Sequence, residues 1–361
     1  MPHHPITVAR VVGKLDRGGA QLSLLRVARS LERRGIGTRL LAGHASSAGV
    51  ALAREYGFEP EVFGEAGNLQ WVPHPGFAAW LAPRLRGADA VHAHMFGAWW
   101  AAAQVVGDDQ GLVASEHNAF SWPDADWSLA VRRALPRVDV FFAHGPGARA
   151  TILEAGLPPD RVRDGVSPVT GTDAPRRLAP CAPIVFAGRL DPDKGPDVLL
   201  DAVALLEHPA PVTMAGAGRL EPELHAQRAR LGLQERVTMP GWLHDPAPLI
   251  ARAAVLVIPS RDESFSQTAV LGMGLGVPVI GTRVDGFPAT LARGRGFIVA
   301  PDDPAALATA IDGVLAGRLA VDLEGARGYA AQFEPERVAG VYEQTYRALV
   351  GVPLARRELP A

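Results

Sequence analysis

The stretch Phe186-Ala187-Gly188-Arg189-Leu190-Asp191-Pro192-Asp193-Lys194-Gly195 joins the end of an apolar strand to the start of a helix. Pro196 at the first helical position and Asp197 in the first turn are typical of a helix start. Arg189 offers a planar fork to a pair of phosphate oxygens, and Lys194 offers a mobile point charge. Because a glycine precedes the arginine and another follows the lysine, we favour a diphosphate-binding loop over two solvated surface charges.

Lysine is rare in this chain. Lys14 and Lys194 are the only lysines among the 36 basic residues, and all the others are arginine. A retained lysine is suited to placing a compact ammonium on a phosphate, which a guanidinium does less well. This bias favours a function for Lys194, whereas chance retention is an equal alternative for Lys14.

Short apolar, β-branched segments alternate with helical segments through both halves of the chain. The β-branched segments are apolar throughout, which is typical of parallel strands that are covered on both faces. We therefore predict an α/β fold of two doubly wound, Rossmann-like domains facing a cleft, with ligands at the carboxyl ends of the strands. Residues 169–183 show neither a helical nor a strand periodicity, which indicates a linker. The predicted domains are residues 1–172 and 173–334, followed by a closing helix and tail at 335–361.

The bulk composition excludes several classes of function. The 361 residues are 48% hydrophobic and 20% charged, an ordinary globular composition. A net charge of -2 and a pI near 6.6 predict no nucleic-acid partner. The single cysteine, Cys181, permits neither an internal disulfide nor a cysteine-based zinc site, and it fits a reducing compartment. The N-terminus lacks a signal-peptide pattern and the apolar runs are strand-sized, so we expect a cytoplasmic protein.

A second candidate anion site lies in the turn at residues 13–21, directly after a predicted strand at residues 6–12. Gly18 and Gly19 in this turn let backbone N–H groups approach an anion at the start of the next helix. A glycine pair is common in turns, so this signal is weak when taken alone.

A third candidate site is the segment 259–267, which follows a strand and opens a helix. The backbone N–H groups of Phe265, Ser266 and Gln267 are expected to point at an anion. Glu263, just before them, is a candidate acceptor of hydrogen bonds from sugar hydroxyls. A carboxylate that only caps the helix is the competing interpretation.

The fourth candidate is the polar cluster Glu116-His117-Asn118 at the carboxyl end of an N-terminal strand, where function concentrates in such sheets. We predict that His117 bonds a sugar hydroxyl, with a histidine satisfied by local backbone as the equal alternative. Asn118, Phe120 and Trp122 are acceptor-side candidates, because aromatic rings can stack on an acceptor.

Other motifs favour structural roles. We interpret Asp124-Ala125-Asp126 as a turn rather than a metal motif. In His92-Ala93-His94 we expect the two rings on opposite faces of a strand, which is poor for chelation. The first helix is basic, and a solvated face is favoured over contact with a membrane or a phosphorylated acceptor. Its arginines are Arg26, Arg29, Arg33 and Arg34.

Together these motifs resemble a family, the retaining GT-B glycosyltransferases of the GT4 type, and the resemblance covers nearly the whole chain in the right order. The resembling segments are Gly18-Gly19-Ala20-Gln21, Ala90-Val91-His92-Ala93-His94, Glu116-His117-Asn118, Gly188-Arg189-Leu190 with Lys194-Gly195, and Glu263-Ser264-Phe265 with Gly276-Val277-Pro278-Val279-Ile280.

The resemblance implies a nucleotide-sugar donor held mostly by residues 173–334, an acceptor on the side of residues 1–172, and transfer with retention and without a metal or other cofactor. It implies that Arg189 and Lys194 hold the diphosphate, together with the backbone of Gly18-Gly19 and of Phe265-Ser266-Gln267.

The same resemblance implies contacts to the rest of the donor. His117 is expected to contact the donor sugar, Glu263 its ring hydroxyls, and the backbone of Leu243 the base.

The chain departs from the family pattern near the pentose. The family's second glutamate, eight positions after the first, is Leu271 here, and its Gly-Gly-x-Pro-Glu segment ends in Ala289. We therefore hypothesise a dTDP-sugar donor, whose pentose lacks one hydroxyl, and keep a UDP-sugar as a further candidate. Two rivals are a pentose bonded by other groups and a donor that is not a nucleotide.

The predicted function is transfer of a sugar to a hydroxyl acceptor, in natural-product or cell-envelope glycan synthesis. The alternatives are a catalytically silent sugar-nucleotide-binding subunit, motivated by Leu271 and Ala289, and a GT-B-like epimerase acting on the donor alone.

Overall fold

The computed structural model describes residues 6–64, 69–117, 125–172, 176 and 181–350, with backbone alone for residues 125–127. The chain forms two compact units. The N-terminal unit comprises the described residues up to Pro168 together with those from Pro335 onward, and the C-terminal unit is Val169–Glu334. The division falls close to the predicted boundary after residue 172, whereas the segment from residue 335 belongs to the N-terminal unit.

The N-terminal unit contains a seven-stranded sheet with helices between its strands. Its strands are β1 (Ile6–Leu15), β2 (Ile36–Ala45), β3 (Glu61–Val62), β4 (Ala90–His94), β5 (Gly111–Glu116), β6 (Val140–Ala143) and β7 (Val162–Asp164), and its first helices are α1 (Gly19–Glu32), α2 (Ser47–Glu55), α3 (Pro75–Leu85), α4 (Phe96–Ala103), α5 (Ala125–Ala134) and α6 (Pro146–Glu154). All strand pairs are parallel, in the order β3-β2-β1-β4-β5-β6-β7. The chain thus winds outward from β1 in both directions, as a doubly wound fold requires.

The C-terminal unit repeats this plan with six strands. Its strands are β8 (Ile184–Ala187), β9 (Val212–Ala215), β10 (Val237–Gly241), β11 (Val255–Ile258), β12 (Val279–Thr282) and β13 (Phe297–Val299), and its helices are α7 (Pro196–Ala204), α8 (Glu221–Arg230), α9 (Ala247–Ile250), α10 (Gln267–Gly274), α11 (Phe287–Leu291), α12 (Pro304–Leu315) and α13 (Leu323–Ala330). The order is β10-β9-β8-β11-β12-β13, again parallel. Two Rossmann-like sheets are therefore present, as the sequence predicts.

The last described helix, α14 (Pro335–Leu349), covers the sheet of the N-terminal unit. Its side chains Tyr342, Tyr346 and Leu349 are buried against strands of that sheet. The guanidinium of Arg34, which follows the C-terminal end of α1, donates to Glu343 on α14 at 2.8 Å. Arg33 and Arg34, at the C-terminal end of α1, therefore form ion pairs with α14.

Two local predictions change. β1 continues to Leu15, so Lys14 lies in the strand and pairs in register with His44, not in the turn. Four helices, α2, α6, α11 and α13, and two short strands, β3 and β7, are additional to the elements recognised in the sequence. In the described part of the chain, no helix is both long enough and apolar enough to cross a membrane.

Candidate functional site

The loop that follows β8 is packed backbone against backbone, and glycine makes this packing feasible. Gly195 has φ +61°, and a Cβ on it would lie 2.1 Å from the carbonyl oxygen of Pro259. A Cβ on Gly216 would lie 1.8 Å from the carbonyl oxygen of Gly188. No side chain fits at either position without moving the backbone. The loops after β8, β9 and β11 therefore meet at the carboxyl edge of the sheet.

The two cations of this loop converge on a single carboxylate oxygen. Arg189 pairs with Asp191, and its Nη2 lies 2.6 Å from Oδ2 of Asp193. Lys194 Nζ lies 3.6 Å from the same Asp193 oxygen and 3.0 Å from Oε2 of Glu263. The predicted pair thus lies together in space, with carboxylates of its own chain as partners.

Arg261 fixes the position of this loop and was missed by the sequence analysis. Its guanidinium donates to both carboxylate oxygens of Asp197, at 2.9 and 2.7 Å, and to the carbonyl of Pro192 at 2.7 Å. Its backbone N–H donates to the carbonyl of Asp193 at 2.8 Å. The hydrogen bonds that Arg261 donates to Asp197 and then to Asp302 raise its pKa above the usual value. Its place beside Glu263 in the third motif was the one available signal.

Glu263 lies between the cationic loop and the start of α10. Its Oε2 accepts from Lys194 and, at 3.3 Å, from the hydroxyl of Ser260. The cap of α10 is Ser266, whose hydroxyl accepts from the N–H of Ala269 at 3.2 Å. Glu263 therefore contacts the cationic loop, and the helix cap that was its competing interpretation is Ser266 instead.

The remaining residues of the third motif are placed at the same helix start. Gln267 is the first residue of α10, whose first turn contains no acidic side chain. The ring of Phe265 packs on Phe333 with centroids 4.9 Å apart. Phe265 therefore contributes packing in addition to its backbone N–H group.

The predicted base position, Leu243, lies on the loop after β10, and the predicted pentose position, Leu271, lies on α10. Leu271 is 7% exposed, and a Cβ on Gly171 would lie 3.7 Å from its Cδ1. Leu243 is half-buried, and its neighbour Trp242 is 43% exposed with its ring edge-on to His244. An exposed aromatic surface thus accompanies Leu243, and Leu271 brings no charge to α10.

The glycine turn of the N-terminal unit lies at a helix start, as predicted. Gly18 is the N-cap of α1 and Gly19 its first residue, and the first turn carries no acidic side chain. The side-chain amide of Gln21 donates to the carbonyl of Lys14 at 3.0 Å. Beside this turn lies a pocket lined by Val12, Gly13, Lys14, Ala20, Gln21, Leu24, His94 and Met95.

Four histidines of the N-terminal unit, His92, His94, His117 and His144, form a stack. His92 and His94 share one face of β4 with ring centroids 4.1 Å apart, so the prediction of opposite faces was wrong: residues two apart in a strand point the same way. His94 Nδ1 lies 3.2 Å from His117 Nε2, and the ring of His144 lies 4.0 Å from that of His117. Across the described ranges, no three His, Cys, Asp or Glu side chains are arranged to hold a metal ion.

His117 has a buried carboxyl group as its neighbour in sequence. Glu116 accepts a hydrogen bond from Trp99 Nε1 at 3.3 Å, and it also accepts from the backbone N–H groups of His117 and Phe96. Burial raises the pKa of Glu116 to about 8. Glu116 therefore anchors the backbone at His117. The acceptor-side candidates Asn118, Phe120 and Trp122 lie outside the described residues.

The shifted pKa values of four histidines and of Glu116 predict an optimum in stability at about pH 7. Burial lowers the pKa of His117 to about 4 and the pKa values of His92, His94 and His144 well below 6.5. Because the unfolded chain takes up protons on these groups below pH 6.5 and the folded chain does not, stability falls on acidification. Glu116 acts oppositely: the folded state keeps a proton that the unfolded state releases above pH 4.5, so stability declines towards pH 8.

Urea unfolding between pH 4.5 and 8 checks this prediction. We expect a steep acid side, because four histidines outweigh one carboxyl group, and a shallow alkaline side. Glu116→Gln is the control and should remove the alkaline decline alone. Stability that keeps rising from about pH 7 to 8 in the wild type would contradict the assigned state of Glu116.

The two Rossmann-like sheets define the fold class, and comparison with known proteins gives the family. Residues 182–317 match the family Glycosyl transferases group 1, and residues 17–163 match Glycosyltransferase Family 4. A D-inositol 3-phosphate glycosyltransferase 2 from Catenulispora acidiphila is 31% identical over 316 residues, 82% of this chain and 73% of that protein. The chain therefore belongs to the GT4 glycosyltransferases, which have the GT-B fold.

Further comparisons agree with this assignment. A D-inositol 3-phosphate glycosyltransferase from Streptomyces avermitilis is 33% identical over 274 residues, 70% of this chain and 58% of that protein, so the chain spans less than two thirds of this relative. The Anabaena protein HepE, solved with UDP, has a TM-score of 0.79 at 21% identity and covers 95% of this chain and 100% of its own. Sucrose-phosphate synthase from Thermosynechococcus elongatus gives 0.76 at 20% identity, with 95% and 99% covered.

Proposed function

We propose that the protein transfers a sugar from a nucleoside-diphosphate sugar to a hydroxyl of an acceptor, with retention at the anomeric carbon and without a metal ion. The observation that carries this proposal is the convergence of Arg189 and Lys194 on one oxygen of Asp193, with Glu263 beside them. A diphosphate oxygen can take the place of that carboxylate oxygen, and the diphosphate group as a whole carries more negative charge than one carboxylate.

In the complex, the diphosphate replaces Asp193 and Glu263 as the partner of Arg189 and Lys194, and the chemistry follows from this replacement. Cleavage of the glycosyl–phosphate bond develops negative charge on the diphosphate, and fixed cations stabilise that charge most in the transition state. Arg189 binds as a planar fork and Lys194 as a point charge, while Arg261 holds the loop in place. Once Lys194 binds phosphate, the Glu263 carboxylate is released towards a sugar hydroxyl. The resemblance assigns another sugar hydroxyl to His117.

Two facts about similar proteins support the choice of ligands. HepE has been solved with UDP, with UDP and glucose, and with UDP-glucose. Several curated relatives carry the name D-inositol 3-phosphate glycosyltransferase. We therefore propose a nucleotide-sugar donor and a polyol acceptor, with D-inositol 3-phosphate as the first acceptor to test. The assay is NMR of the products formed in EDTA, in which an α-linked product from an α-linked donor demonstrates retention.

A catalytically silent sugar-nucleotide-binding subunit is the second candidate, favoured by Leu271 and Ala289. The same assay separates the two. A protein that binds nucleoside diphosphates but neither transfers nor hydrolyses the sugar of UDP-, GDP- or dTDP-glucose would support the silent subunit.

The donor proposal predicts the nucleotide preference. We expect dTDP to bind at least as tightly as UDP, because buried Leu271 offers no acceptor to a ribose hydroxyl. In Leu271→Glu we expect UDP to gain about tenfold relative to dTDP, the size of one hydrogen bond to a charged group. Thermal shift and calorimetric titration with UDP, GDP and dTDP measure both effects.

The outcomes of this titration are distinct. UDP or GDP binding clearly tighter than dTDP would overturn the deoxypentose hypothesis and leave the donor class intact. If none of the three raises the melting temperature, the nucleotide-sugar donor is wrong. The control is Leu205→Glu, which adds the same charge to the C-terminal unit at an exposed leucine.

A further inference from the structure

Three adjacent strands of the N-terminal unit each lead into a histidine at the carboxyl edge of the sheet. β4 ends with His94, His117 follows β5, and His144 follows β6. The rings of His94 and His117 are nearly parallel, with centroids 5.5 Å apart, and those of His117 and His144 are 4.0 Å apart. His117 is thus the middle ring of a stack.

The stack contains one hydrogen bond between rings. His94 Nδ1 and His117 Nε2 are 3.2 Å apart, within hydrogen-bonding distance. Both rings are neutral at pH 7, because burial lowers the pKa of each. Two neutral imidazoles share one proton in such a bond, so one nitrogen donates and the other accepts. The state of His94 therefore determines the state of His117.

The surroundings of His94 decide which ring donates. His94 is 6% exposed, and its Nε2 is buried without a hydrogen-bond partner among the described residues. An orphaned buried N–H is rarer in proteins than an under-used acceptor. The proton of His94 is therefore on Nδ1, which donates to His117. With Nε2 of His117 accepting, the proton of His117 is on Nδ1.

The opposite face of His117 is held by His144, which the surrounding chain fixes in place. A Cβ on Gly165 would lie 2.2 Å from the His144 ring, so only glycine leaves room for that ring. The hydroxyl of Ser167 lies 3.4 Å from His144 Nδ1.

We propose that His94 is a positioning residue that holds His117 as the Nδ1–H tautomer, so that His117 donates a hydrogen bond to a hydroxyl oxygen of the donor sugar. Nδ1 of His117 makes no hydrogen bond to any residue that the structure describes. The identity of the ligand rests on the proposed function, whereas the tautomer does not. His144 holds the plane of the His117 ring, and His94 determines which nitrogen of that ring carries the proton.

Ring nitrogen NMR of the full chain, labelled with ¹⁵N-histidine and recorded at pH 7, tests the tautomer directly. Comparison with His117→Gln assigns the His117 signals. In the wild type we expect a protonated Nδ1 and an unprotonated Nε2. In His94→Phe, which keeps a ring in the stack but removes its nitrogens, we expect His117 to populate the Nε2–H form. His94→Asn places an N–H close to the former Nδ1 and should restore the wild-type tautomer.

Kinetics provide the matching functional readout. We expect His94→Phe to lower kcat about tenfold, the effect of losing one hydrogen bond, with the KM for the acceptor unchanged, and His94→Asn to recover most of it. If the role of His94 were merely structural, both variants would have a lower melting temperature and the tautomer of His117 would be unchanged.

The outcomes separate this inference from the proposed function. An Nε2–H tautomer of His117 in the wild type, or an unchanged tautomer in His94→Phe, would overturn the inference even if sugar transfer is found. The expected tautomers in a protein that transfers no sugar would support the role of His94 and refute the proposed function.

Discussion

Lys194→Ala is expected to weaken binding of nucleoside diphosphates about 10- to 100-fold, the effect of removing one charge-assisted hydrogen bond. Lys194 and Arg189 reach the same oxygen of Asp193, so the loss of either removes half of the positive charge offered to a phosphate at that point. Calorimetric titration with dTDP and UDP measures the change. The salt dependence of the affinity should also decrease, because one cation fewer takes part.

Lys194→Arg and Arg54→Ala are the matched variants for this test. Arginine keeps the charge but cannot place a compact ammonium between Asp193 and Glu263, so we expect an intermediate affinity. Arg54 forms an exposed ion pair with Glu59 in the N-terminal unit, and its removal should leave binding unchanged. If Lys194→Ala binds both nucleotides as tightly as the wild type and melts normally, Lys194 is not part of the donor site.

The fold could be predicted because parallel strands covered on both faces are apolar throughout. β11, Val255–Ile258, is apolar and buried along its whole length. α2 was missed for an equally local reason. Its start, Ser46–Gly49, resembles a turn, but the Ser46 hydroxyl accepts from the N–H of Gly49 and caps a helix.

The partners of the charged groups could not be predicted. Arg261 binds Asp197, and Lys194 binds Glu263, each across more than sixty residues of sequence. No periodicity in a single strand or helix reports which carboxylate a given loop will meet. The glycines at 188 and 195 favoured a diphosphate-binding loop but did not identify the neighbouring loops.

The histidine stack shows a different limit. The shared face of His92 and His94 follows from the two-residue period of a strand and should have been derived from the sequence. The alignment with His117 and His144 could not have been, because it depends on the register of β4, β5 and β6. Register between strands is set by packing of the whole sheet, which one strand's sequence does not contain.

Glu263→Gln is expected to lower sugar transfer about 100-fold, the usual cost of removing one group that contacts the transition state. Binding of nucleoside diphosphates should be unchanged or tighter in the same variant. The physical reason is that Oε2 of Glu263 holds Lys194 at 3.0 Å in the free protein, and a diphosphate must compete with that carboxylate. Neutralising the carboxylate frees the ammonium for phosphate but takes an acceptor of full charge from the sugar hydroxyls. Transfer rates and titration with the donor's nucleoside diphosphate measure the two effects separately.

Glu61→Gln is the control, because Glu61 is an exposed partner of Arg84 on the N-terminal unit and should change neither quantity. The opposite signs expected for Glu263→Gln distinguish its role from that of Lys194, whose loss should weaken binding and transfer together. They also separate a sugar contact from a structural one. If Glu263 served only to orient Lys194, its amide variant would lose nucleotide affinity, since the ammonium would no longer be held in the site. Weaker diphosphate binding in Glu263→Gln would therefore assign this carboxylate to the loop and leave the hydroxyls of the donor sugar to other groups.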